Sequence, residues 1–158
     1  MDIKLKEYKS DLDKKEILLI LDTDYIHSTN NLYSAKIAYK TKGGKKSAYP
    51  MIFKNPEVVA YCQRIEEELL TIDFKTSAPW IWETKYFNLT VQFVIKQSFG
   101  KRDTDNMLKS LTDSVFRHLG LNDSRILEIH AYKSFLPEAK NEYIMIRLSE
   151  STHDFMFK

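Results

Sequence analysis

The chain has 158 residues, 43% of them apolar and 13% aromatic, which suffices for one packed core and excludes an intrinsically disordered protein. Its 24 basic and 22 acidic residues leave a formal charge of +2, so any nucleic-acid face has to come from local clustering rather than from overall charge. The single cysteine, Cys62, excludes an internal disulfide and a cysteine-based zinc site, and fits a reducing, cytoplasmic setting. No secretory leader pattern opens the chain and no apolar run is long enough to span a bilayer, so no membrane association is expected.

Residues 1–16 are mixed in charge, with Ile3 and Leu5 alternating against lysines, a pattern for a short edge strand. Ile17–Leu21 reads as a buried strand, and Asp22 to Tyr33 as a polar loop in which Asp22 and Asp24 are turn residues at a strand end. Lys36 to Lys54 holds Lys40, Lys42, Gly43, Gly44, Lys45 and Lys46 with Tyr39 and Tyr49 interleaved, so Gly43-Gly44 is expected at a hairpin tip or loop. Pro56 opens a helix to about Ile72, with Val58, Val59, Cys62, Ile65, Leu69 and Leu70 on its apolar side and a solvated Glu66-Glu67-Glu68 run. Cys62 on that side reads as a core residue. Trp80 and Trp82 cover either the core or a subunit contact. Phe87, Leu89, Val91, Phe93 and Ile95 alternate cleanly through Lys85–Gln97, the period of a half-buried strand.

The densest chemistry lies between Lys101 and Asp123. Met107, Leu108, Leu111, Val115, Phe116 and Leu119 recur at helical spacing, with Asp105 a candidate N-cap and Gly120 a C-cap glycine. Asn106, Lys109, Ser110 and Asp113 fall on the opposite face, and Asp105, Lys109 and Asp113 are four apart, within ion-pairing reach. Two readings are open. In one, Asp103 and Asp105 serve a capped, solvated helix and Asn122-Asp123-Ser124 a turn. In the other, Asp103, Asp105 and Asp123 are carboxylates for Mg²⁺, with Lys101, Arg102 and Lys109 beside them for a phosphate-bearing substrate. A helix of about sixteen residues is roughly 24 Å long, and spacing alone does not settle whether Asp123 approaches Asp103.

Beyond Asp123, Ile126 to Lys133 is predicted as a strand, with Leu127, Ile129 and Ala131 alternating against Glu128, His130 and Tyr132. His130 reads as a strand-face residue. Pro137 to Asn141 turns the chain, and Tyr143–Leu148 is predicted as the last strand and its hairpin partner; 151–158 reads as a tail. With no repeat and no linker, residues 1–158 are expected to form one α+β domain, a mixed β-sheet packed with two main helices.

Arg102-Asp103-Thr104-Asp105-Asn106, then Lys109, Asp113 and Asn122-Asp123-Ser124-Arg125-Ile126, resembles the core signature of RusA-like Holliday junction resolvases: Asp-x-Asp-Asn-x-x-Lys, a further helical Asp, and Asp-Asp-Ser-x-Ile entering a strand. That family comprises Mg²⁺-dependent, homodimeric endonucleases that cut four-way DNA junctions. Carried over by position, the resemblance implies Asp103, Asp105 and Asp123 as metal-site and catalytic carboxylates and Lys109 as the catalytic lysine. Asp113 and Asn106 fall in supporting positions, and Mg²⁺ is the cofactor, with Mn²⁺ able to substitute. The family commonly has Asp where this chain has Asn122. Ser28-x-Asn30 followed by Tyr33 resembles the Ser-x-Asn loop near the N-terminus of the same family. With Lys101, Arg102, Lys42, Lys45 and Lys46, Ser28 and Asn30 complete the expected DNA contacts. A RusA-like fold, a homodimer matching the twofold symmetry of a four-way junction, and paired phosphodiester hydrolysis are therefore expected. The alternatives are a nuclease for flaps or other branched DNA, a junction-binding protein with a vestigial site, and a small acidic-site metal-binding protein with no nucleic-acid partner.

Overall fold

A computed structural model describes residues 2–28 and 33–152. The strands and helices in chain order are β1 (Ile3–Asp11), β2 (Glu16–Thr23), β3 (Tyr33–Lys42), β4 (Lys45–Lys54), α1 (Pro56–Leu69), α2 (Phe74–Ser77), β5 (Phe87–Ile95), α3 (Thr104–Leu119), β6 (Ile126–Phe135) and β7 (Glu142–Glu150). Five strands form one mixed sheet in the order β1-β2-β7-β5-β6, and β3 and β4 form a separate two-stranded ribbon. The chain is thus an α+β domain with a mixed sheet and two long helices, α2 being a single turn.

The period-2 sequences bury one face. Ile17, Leu19 and Leu21 of β2, Phe87 to Ile95 at alternate positions of β5, and Ile144, Ile146 and Leu148 of β7 are all buried. On the opposite face Leu18, Thr90, Gln92, Tyr132, Met145 and Arg147 line a shallow depression. Ile17–Leu21 is therefore buried on one side only, because no second layer among the described residues covers that face. Both long helices pack on the buried face and against each other, α1 toward β1 and α3 toward β6. α1 contributes Tyr61, Ile65 and Leu69, and α3 contributes Met107, Leu111, Val115, Phe116 and Leu119. Leu70, expected on the apolar side, is 72% exposed because α1 ends at Leu69. Cys62 is half-buried, and burial pushes its thiol pKa up, so it is a packing residue and a poor nucleophile.

β7 is not the partner of β6. It pairs antiparallel with β2 on one side and β5 on the other, and β6 pairs parallel with β5 at the sheet edge. The connection from β5 through α3 back to β6 is a crossover, which delivers a parallel strand. β7, with three buried apolar residues on one face, takes the central place instead. That topology matters for the site, because α3 runs down beside two strands that both run up.

Candidate functional site

The acidic motif begins where β5 leaves the sheet. Ser98 takes a left-handed conformation (φ 54°), and Phe99–Lys101 makes one 3₁₀ turn. Lys133 of β6 holds this turn from below: its ammonium donates to the carbonyls of Phe99 and Arg102 and lies 4.3 Å from the Phe99 ring centroid. Arg102 then turns inward. The residue is 2% exposed, and its guanidinium forks onto the carboxylate of Glu142, with both N–H···O contacts at 2.6 Å. It also donates to the carbonyls of Ile26 and Gln97 and stacks over the Tyr25 ring at 4.2 Å. Glu142 is 0% exposed and fully used, since its two oxygens also accept the backbone N–H groups of Ile26 and Lys96. The expected DNA contact by Arg102 is therefore corrected: this arginine ties β7, the start of the motif and the 24–28 segment together from inside.

The next residue is the reverse. Asp103 occupies the N-cap position of α3, with extended backbone, yet its side chain makes no cap hydrogen bond. The helix starts two residues earlier than a cap at Asp105 would place it, and Asp105 sits exposed in the first turn. Lys109 is exposed too, and no ion pair joins Asp105, Lys109 and Asp113 among the described residues. Ser110, read from the sequence as solvent-facing, is buried with Ser114 toward α1; both hydroxyls fold back onto helix carbonyls, Ser110 onto Asn106 and Ser114 onto Ser110. At the far end Gly120 closes α3 in the left-handed region (φ 68°). The Asn122 side chain accepts from the Ser124 N–H at 2.9 Å, so Asn122 caps the Asp123–Arg125 turn. Arg125 pins that turn by donating to the carbonyls of Thr84 and Lys85, which leaves the Asp123 carboxylate exposed.

Two rulers give the distance between the ends. The sixteen residues of α3 put its termini roughly 24 Å apart. Along β6, Ile126 lies just past Asp123 while Lys133 touches the carbonyl of Arg102, and seven residues of strand span roughly 23 Å. Asp103 and Asp105 therefore stand at one end of α3, and Asp123 at the other, where it shares an open groove with Asp113 and Arg117. Among the described residues no three carboxylate, histidine or cysteine side chains stand together as a metal-ligand group. Within a single chain Asp103 and Asp105 thus stand apart from Asp123, at the opposite end of α3.

The remaining expected contacts divide the same way. Ser28 is 3% exposed and not available to DNA, and Asn30 lies outside the described residues. Lys101 is exposed. Lys42, Lys45 and Lys46 flank the tip of the β3–β4 ribbon, where Gly43 and Gly44 both take positive φ, the geometry of a tight two-residue hairpin turn. His27 lies between the rings of Tyr25 and Tyr61, and burial pulls its pKa down against the raising influence of Glu57 and Asp24. The sequence reasoning missed Glu142 and Lys133. Glu142 had one signal, a lone acid opening a strand whose alternate residues are apolar; Lys133 had none. No protein-family model matches the chain, and no curated protein is similar to it.

Proposed function

We propose that the chain is a cytoplasmic, metal-dependent endodeoxyribonuclease of the RusA-like kind, cutting four-way or related branched DNA as a homodimer. The observation that carries the reading is the division within the motif: Arg102 is consumed by the fold, whereas Asp103, Asp105, Lys109 and Asp123 are exposed and take no part in capping or in ion pairs among the described residues. The structural role that could explain the aspartate at the N-cap is unfilled, which favours the functional reading over the capping one.

One chain cannot close the site, and the exposed edge of the sheet suggests how two do. β6 has one free side and carries Leu127, Ile129 and Phe135 exposed at 39%, 48% and 53%. Antiparallel pairing of β6 with its copy, about a twofold axis near the middle of the strand, covers these residues. It also sets the partner's far end beside the near end of this chain. Asp123 and Asp113 of one copy then face Asp103, Asp105 and Lys109 of the other, twice per dimer. Mg²⁺ at such a site would supply water activation and charge neutralisation. Lys109 would place a fixed positive charge beside the scissile phosphate.

The test is incubation of the protein with a synthetic four-way junction, with and without Mg²⁺. Paired nicks across the junction, dependent on the ion, are expected. A junction bound tightly and left uncut at saturating Mg²⁺ would instead mark a binding protein.

A further inference from the structure

The β3–β4 ribbon has no counterpart in the core. Its strands pair with each other over ten residues each and, among the described residues, with no other strand, so it projects as an arm roughly 33 Å long. A two-stranded ribbon is marginal by itself in water, and one exposing large apolar residues on a face is a surface awaiting a partner. The register sorts its side chains. One face carries Ile37 opposite Pro50, Tyr39 opposite Ala48 and Ala35 opposite Ile52. Ile37, Tyr39 and Ile52 on that face are 65%, 62% and 73% exposed. The other face carries Lys36, Lys40, Lys42 and Lys45 with Tyr49 and Phe53.

Charge identifies the partner. Residues 33–54 hold six lysines and no acidic residue, so the rest of this +2 chain is net −4. The ribbon is the one long cationic segment, and its complement is a polyanion. Towards its middle that face presents Ile37, Pro50, Tyr39 and Ile52, whose side chains suit the faces of bases already out of the stack, with Thr41 and Lys46 nearer the tip. Lys46 already lies over the Tyr39 ring at 4.8 Å, a cation and an aromatic plane set together. At the ribbon's last residue, Lys54 lines a cavity with Val58 of α1 and Ser110 and Asp113 of α3, so the arm leaves the domain beside that helix.

We propose that the β3–β4 ribbon is a nucleic-acid arm that grips backbone phosphates through its lysines and lays Ile37, Tyr39, Pro50 and Ile52 against unpaired, unstacked nucleotides at the branch point. This rests on the reading of the chain as a DNA enzyme, and it names the part of the substrate that the arm takes: open nucleotides, not paired duplex.

The experiment measures binding without Mg²⁺, so that it is independent of cleavage. The probes are a four-way junction carrying 2-aminopurine at the crossover, the matching linear duplex and a single strand. Wild type is expected to raise the 2-aminopurine signal on binding the junction. Ile37→Ser/Ile52→Ser, both fully on the surface, should keep wild-type melting and duplex affinity, lose the fluorescence rise, and bind junction and single strand at least about tenfold more weakly. Lys40→Gln/Lys42→Gln/Lys45→Gln should weaken all three DNAs and flatten the duplex salt slope by about 0.9 per lost phosphate contact. The proposal is overturned if the serine variant opens and binds the junction like wild type. It is equally overturned if that variant turns a dimer into a monomer, or if the ribbon proves to hold anionic phosphatidylserine vesicles and not DNA. A wild type that opens the junction but does not cut it with Mg²⁺ sinks the nuclease reading and leaves the arm; a serine variant that opens and cuts normally sinks the arm and leaves the nuclease.

Discussion

Arg102 and Asp103 are neighbours in sequence and opposites in the structure. The arginine is 2% exposed and spends its guanidinium on Glu142 and two carbonyls, while the aspartate beside it is exposed and caps nothing with its side chain. A charge motif read from a sequence says which groups are present, not which of them the fold has already used. Here the fold uses the cation and leaves the anions, and that contrast can be broken from either side.

The largest expected effect is on the buried side. Arg102→Ala leaves the Glu142 carboxylate in the interior with only backbone partners, and removing one member of a buried pair typically costs about 3–5 kcal/mol. A large fall in melting temperature is expected, and Arg102→Lys should recover little, because an ammonium cannot fork onto a carboxylate and stack on Tyr25. A variant that melts within about 0.5 kcal/mol of wild type would show that the pair is not an anchor. On the exposed side, Asp103→Asn, Asp105→Asn, Asp123→Asn and Lys109→Ala should each leave melting almost unchanged and cut single-turnover junction cleavage by at least about a hundredfold. Junction binding by the asparagine variants should be equal or tighter, since each removes a negative charge facing phosphate. Full activity in any one of them removes that residue from the set.

A smaller effect should appear with pH. Burial disfavours the charged form of His27, so its pKa is below the ordinary histidine value of about 6.5 and the unfolded chain binds the proton more readily. Its contribution is fully present above that value and declines as pH falls below it; His118, also lowered by burial, acts in the same direction. Melting temperature should therefore drop between pH 7.5 and 5.5, and His27→Gln should make the drop shallower. An unchanged profile in His27→Gln would mean that His27 is protonated in the folded state without penalty.

How much of this was readable beforehand follows from range. The alternation in β5, the apolar stripe of α3 and Gly120 as its cap are local patterns, and each appears where the sequence places it. The ribbon tip at Gly43-Gly44 is likewise local, because only a turn with two positive φ angles needs that pair. The burial of Arg102 was not legible, since its partner lies 40 residues away on a strand that inserts between β2 and β5. The same insertion displaced the expected β6–β7 hairpin. For the candidate site, residue types and spacing single out Asp103, Asp105 and Asp123, but the direction of α3 between parallel strands decides that Asp123 lies at the opposite end from the other two. Nothing in linear spacing carries that direction.

The central claim, that the site is completed across two chains, is most directly tested by mixing two inactive variants. Asp103→Asn and Asp123→Asn proteins are prepared separately, then unfolded and refolded together so that subunits exchange. If the site is shared, each mixed dimer has one site with both substitutions and one with neither. Mixing should then restore Mg²⁺-dependent nicking to about a quarter of the wild-type level, on the twofold symmetry of the dimer. If each chain holds its own complete site, every site in the mixture carries a substitution; cleavage no higher than that of the separate variants would contradict the account.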